Sequence, residues 1–224
     1  MAVTSTYSLR PGAGDGEEDA CGAWARARAA REKERGRSKN ATGVAATFLR
    51  AGFEIEWVRP SPEIKTVEFI AKHKVTGHRI AVETKSRHRQ GALNQGGSVS
   101  GPVKNLSKDM RRLFNDALSH NPGDMPFAVF LDTNVPDVHD PREMLTRLRS
   151  LIDKGPPSTR ESPSPYSWCG LTNYAWHYDG EGAPQPGSSV LVVPNWAKHP
   201  IDDIRVVQAM QRELIAYGNI PPFD

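Results

Sequence analysis

The sequence predicts an α/β fold, a mixed central sheet flanked by helices. Three observations lead there. Amphipathic helical stretches alternate with short strand-like runs along the chain. Two of those runs, Thr66–Lys72 and His78–Lys85, are joined by a polar link containing Thr76-Gly77, which suits an antiparallel hairpin. A third, Phe127-Ala128-Val129-Phe130-Leu131, is apolar throughout, as expected of a strand buried on both faces.

Taken in order, residues 1–21 are rich in Gly, Ser, Thr and acids and predict a disordered tail, with residues 22–224 forming a single α/β domain. A basic helix is expected over Ala23–Arg35. A second, over Thr42–Ala51, places Val44, Phe48 and Leu49 on one face and ends at Gly52, where a C′ glycine belongs. Phe53–Val58 alternates apolar and charged residues, a half-buried strand, and Pro60-Ser61-Pro62 ends it. The hairpin follows, then a Gly-, Ser- and Asn-rich loop over 88–105. Leu106–Ser119 is an amphipathic helix with Leu106, Met110, Leu113, Phe114 and Ala117 on one side. After the buried strand at 127–131, Met144–Ile152 predicts a helix and residues 155–165 an exposed Pro- and Ser-rich connection. Val190–Val193 predicts a late strand and Ile201–Tyr217 a C-terminal helix.

Composition and charge narrow the function. Cys21 and Cys169 are the only cysteines and match no paired spacing, which excludes a disulfide scaffold and a four-cysteine zinc site. No apolar run approaches the ~18 residues of a membrane span and no secretory h-region opens the sequence, so a cytoplasmic protein is expected. The net charge of +3 is unevenly spread. Residues 22–40 hold seven Lys/Arg against two Glu, and residues 85–112 seven against one Asp, whereas residues 161–224 hold three against seven acids. Such polarity suits a polyanionic partner, nucleic acid above all, although a solvated helix and loop carry the same charges. No His-x₃-His, G-x-S-x-G or phosphate-loop pattern occurs.

The segment that carries chemistry is Thr66-Val67-Glu68-Phe69-Ile70, followed by Ile80-Ala81-Val82-Glu83-Thr84-Lys85. Two carboxylates and a lysine stand among strand formers. With a turn centred on Thr76-Gly77, Glu68 lies opposite Lys85; with one centred on Val75-Thr76, it lies opposite Glu83. Cross-strand partners share a face, so either register gathers Glu68, Glu83 and Lys85. Two close carboxylates repel unless a cation lies between them, and a hard divalent ion takes their oxygens while keeping waters and substrate phosphate oxygens. A solvated hairpin face bearing Glu–Lys pairs is the structural alternative. The same spacing recurs at Glu63-Ile64-Lys65, in a Pro-flanked loop rather than a strand.

The order helix, strand after Gly52, strand with an acid, strand ending Glu83-Thr84-Lys85, helix and buried strand resembles the PD-(D/E)XK nuclease superfamily over about residues 42–132. The resemblance implies a restriction-endonuclease-like αβββαβ core, with residues 133–224 as a C-terminal extension. It implies that Glu68 and Glu83 bind Mg²⁺ or Mn²⁺ and that Lys85 is the catalytic lysine. Val67-Glu68 stands where the family usually has Pro-Asp, and the Gln-x-x-x-Tyr helix of its exonuclease-like branches is missing, since the residue four after Gln95 is Val99.

Around this core, Arg87, Arg89, Lys104, Lys108, Arg111 and Arg112 are the expected nucleic-acid-binding residues, suited to gripping phosphates without reading bases. The expected function is metal-dependent phosphodiester hydrolysis in nucleic acid, DNA over RNA, with no membrane partner and room for a homodimer. The alternative is a catalytically inactive nuclease-like fold that binds nucleic acid or another protein. Trp168, Tyr174, Trp176, Tyr178 and Trp196 are expected to serve core and interface packing rather than base stacking.

Overall fold

The computed structural model describes residues 40–61, 63–87, 106–133, 146, 158–173 and 188–217. Helix α1 covers 40–50. Strands β1 (Phe53–Trp57), β2 (Phe69–His73) and β3 (Arg79–Ser86) follow, then α2 (Leu106–Leu118), β4 (Phe127–Asp132), β5 (Trp168–Asn173), β6 (Ser188–Val192) and α3 (Ile204–Tyr217). The strands form one mixed sheet in the order β1-β2-β3-β4-β5-β6. The first three make an antiparallel meander. The next two run parallel to β3, and β6 returns antiparallel. Among the described residues no helix is long and apolar enough to cross a membrane.

Each face of the sheet is covered because each helix has one apolar stripe. Val44, Ala45 and Phe48 of α1 meet Phe69, Val82, Phe130 and Trp168, together with Val206, Met210 and Leu214 of α3. Phe48 sits at the centre, edge-on to Phe53, Phe69 and Phe130 with ring centroids 5.1, 5.7 and 5.8 Å away. Gly52, at φ +91°, turns the chain from α1 into β1. On the other face, Met110, Leu113, Phe114 and Ala117 of α2 cover Ala81, Val129, Leu131 and Leu171.

The α/β architecture and its mixed sheet are those the sequence predicts; of the two registers it left open the structure takes one, and several details differ. The register Phe69↔Val82 and Ile70↔Ala81 is the one that follows from a turn at Val75-Thr76. β2 starts at Phe69 rather than Thr66. Val67 and Ile70 pack on the same face, so the alternation breaks between them. The Glu68 amide donates to Val82 O (3.1 Å) although Val82 is the register partner of Phe69, as at a β-bulge. α3 starts at Ile204 rather than Ile201 because Asp203 caps it, its Oδ1 accepting the Arg205 amide (3.0 Å). β5, all six residues buried, has no counterpart in the sequence reading. The expected tail, the helix over Ala23–Arg35, the loop over 88–105 and all of the Met144–Ile152 helix but Thr146 lie outside the described residues.

Candidate active site

β3 is sandwiched between β2 and β4, yet its α2-facing positions turn polar. Ala81 is followed on that face by Glu83 and Lys85, where β4 and β5 carry Val129, Leu131, Cys169 and Leu171. Three side chains from the flank of α2 and the turn after it meet them. Arg87 Nε lies 3.0 Å from Asp109 Oδ2, Lys85 Nζ 3.0 Å from Asp116 Oδ2, and Glu83 Oε2 3.7 Å from His120 Nδ1. Strand numbers fall as helix numbers rise, so α2 runs against β3. Residues 109, 116 and 120 are seven and four apart, one flank of a helix, while 83, 85 and 87 are one face of a strand.

Glu83 and Lys85 form the centre. Both are buried, and Lys85 Nζ lies 2.8 Å from Glu83 Oε1. The second oxygen, Oε2, is buried with no hydrogen-bond partner. Burial pushes the Glu83 carboxyl above its ordinary range; Lys85 and the Glu68 backbone amide oppose the rise and Asp116 adds to it. Asp116 moves the other way: burial would raise it, but the bond to Lys85 and the charges of Lys85, His120 and Lys65 hold it low. His120 is lowered, chiefly by burial. Its Nδ1 lies 2.7 Å from the Thr66 carbonyl, which can only accept, so Nδ1 carries the proton.

Of the residues singled out from the sequence, Glu83 and Lys85 come together and Glu68 stands one residue before β2, half-buried at the bulge. Its backbone amide acts on the Glu83 carboxylate, and the second carboxyl group whose charge acts there is that of Asp116. Arg87 is mostly buried against Asp109. Lys108, Arg111 and Arg112 line an open hollow of ≈ 550 Å³ with Ser107 and Asn115. The Nε of Arg111 is buried without a partner. Arg89 and Lys104 lie outside the described residues.

Asp109, Asp116 and His120 escaped the sequence reading. Their signal was their position beside the apolar stripe of the helix, where a side chain reaches the neighbouring strand. Cys169 is buried on β5 and its thiol is pushed up to about 12, which removes it as a nucleophile. Asp132, wholly buried, accepts the hydroxyls of Ser86 (3.1 Å) and Thr172 (3.2 Å).

Among the described residues no three His, Cys, Asp or Glu side chains are placed to hold one ion together. The site fits a hard cation in a narrower sense: Glu83 offers a buried oxygen with free lone pairs, and Mg²⁺ needs only one or two carboxylates because it keeps its waters. No protein-family model, no curated protein and no solved structure matches the chain.

Proposed function

We propose that the chain is a metal-dependent nuclease of the PD-(D/E)XK type, hydrolysing phosphodiester bonds in nucleic acid, DNA over RNA. The observation that carries this reading is the buried Glu83–Lys85 pair with one carboxylate oxygen left unsatisfied. Well-packed apolar residues in such a place are generally at least as stabilising as an ion pair, so a buried pair is weak support for a structural role. The neighbouring strands fill the same layer with Val129, Leu131 and Leu171. The element order adds support: a helix, an antiparallel meander of three strands, a helix and a strand parallel to the third.

In this reading Glu83, with Glu68, holds Mg²⁺ or Mn²⁺. The bound ion supplies a more acidic water and neutralises charge on the phosphate. Lys85 orients the attacking water and stabilises the charge that develops at phosphorus. The core of β3 excludes bulk water from Lys85 and strengthens these interactions. Lys108, Arg111 and Arg112, and in sequence Arg89 and Lys104, grip the phosphate backbone.

The test is cleavage of labelled single- and double-stranded DNA and RNA with Mg²⁺, Mn²⁺ or EDTA, beside Lys85→Ala and Glu83→Gln. Circular dichroism would confirm that all three proteins fold. We expect metal-dependent cutting that falls about 100-fold or more in either variant. Cutting that survives in both would place the chemistry elsewhere. Folded wild type that binds nucleic acid but never cuts would establish the inactive binding module instead.

A further inference from the structure

We infer that Asp116 is a positioning residue of this site, holding the Lys85 ammonium from α2 while Glu83 holds it from β3; the inference rests on the hydrolytic reading above. Lys85 ends in a flexible chain of four methylenes, and Glu83 sits only two residues away on the same strand. A single tether on its own strand leaves the ammonium free to swing about that one contact. The second tether comes from a different element, with Nζ 2.8 Å from Glu83 Oε1 and 3.0 Å from Asp116 Oδ2. Two of the three ammonium donors are thereby directed in space, and the third is left for water or a phosphate oxygen. A charge that must meet a developing phosphorane within a fraction of an ångström gains from such fixing.

The surroundings of Asp116 fit this role better than a structural one. Its side chain is 43% exposed, unlike Glu83 at 2%, so the pair is open to solvent at the Asp116 end while the Lys85 end is buried. Lys65 stands 4.0 Å from the other oxygen, and its Nζ donates to Ser119 Oγ at 2.7 Å, which steadies the carboxylate from the solvent side. Asp116 is also an acid beside a site for a polyanion. Substrate binding alone would disfavour it there; holding Lys85 gives it a use in the chemical step.

The experiment compares wild type, Asp116→Asn and Asp116→Glu in single-turnover cleavage with Mg²⁺, in equilibrium binding of the same DNA in EDTA, and by the ¹H–¹⁵N signal of the Lys85 ammonium. We expect Asp116→Asn to fold, to melt somewhat below the wild type at neutral pH because the buried Lys85 loses one carboxylate, and to bind DNA as tightly or more so, because one negative charge is gone. Its cleavage rate should fall about 10–100-fold, and its Lys85 ammonium signal should broaden or vanish. Asp116→Glu should recover part of the rate. Wild-type cleavage in Asp116→Asn, or a loss confined to binding, would overturn the inference and leave the nuclease reading standing. A wild type that does not cut overturns both.

Discussion

A carboxylate taken out of water on a central strand is held either neutral or beside a cation, and both pressures act on Glu83. Burial raises it, and the Lys85 ammonium at 2.8 Å opposes that rise without cancelling it. The consequence for stability has a definite sign. An acid whose folded pKa lies above its unfolded value binds its proton more tightly when folded. Its contribution is therefore complete below the ordinary value of 4.5 and is lost as pH rises through the folded pKa. Asp116 works oppositely, stabilising above its ordinary 3.8 and losing that stabilisation as pH falls through its lowered value. Glu83→Gln removes the first effect and keeps the second. The urea midpoint of the wild type minus that of Glu83→Gln should therefore shrink as pH is raised from 4 to 7.5. A difference that grew over that range would mean that Lys85 outweighs burial and that Glu83 is a stabilising anion.

At the scale of elements, β5 is held by a close approach rather than by a strong propensity. A Cβ on Gly170 would come within 2.4 Å of the edge of the Phe130 ring on β4, closer than real contacts allow. Gly170→Ala should lower stability by about 1–3 kcal/mol, the usual penalty for overpacking a core. Phe130→Leu in the same chain should recover part of it, a coupling readable in denaturant titrations of the two single variants and the double. That close approach also explains what the sequence left hidden. Trp168-Cys169-Gly170-Leu171 is too short an apolar run, and interrupted by a glycine, to announce a strand; only Phe130 gives the glycine its meaning. The meander, α2 and β4 were legible because alternation and helical spacing report burial directly. Thr76-Gly77 marked the turn but not its centre, so two registers stayed open until the pairing Phe69↔Val82 chose one. The bulge at Glu68 was beyond reach, since period-two reasoning assumes the regularity that a bulge breaks. In the site, Glu83 and Lys85 were legible because charges in a strand of apolar residues stand out. Asp116 and His120 were not, because a helix flank is normally polar and only the strand it meets makes it chemical.

Over the whole molecule, charge is sorted in a way the site can use. The chain carries +3 overall, yet residues 85–112 alone hold seven Lys/Arg against one Asp. Helical spacing divides the part of that cluster on α2: Asp109 and Asp116 turn to β3, while Lys108, Arg111, Arg112 and Asn115 occupy the remaining turn of the wheel around the open hollow. One helix thus serves the ammonium of Lys85 on one flank and, in the proposed function, the phosphate backbone on the other. The two roles separate by experiment. Each phosphate contact to duplex DNA releases condensed counterions and adds about 0.9 to the slope of log affinity against log salt. Changing Lys108, Arg111 and Arg112 together to Ala should make that slope shallower by about 2 to 3 units for a duplex of fixed length. Affinity should fall most at low salt, where counterion release is worth most. At saturating DNA the cleavage rate should stay near that of the wild type, because none of the three touches Glu83 or Lys85. That is the mirror image of Asp116→Asn, which keeps binding and loses rate. An unchanged salt slope in the triple variant would move the polyanion off the hollow of α2, and the backbone contacts would then have to come from other basic residues of the chain.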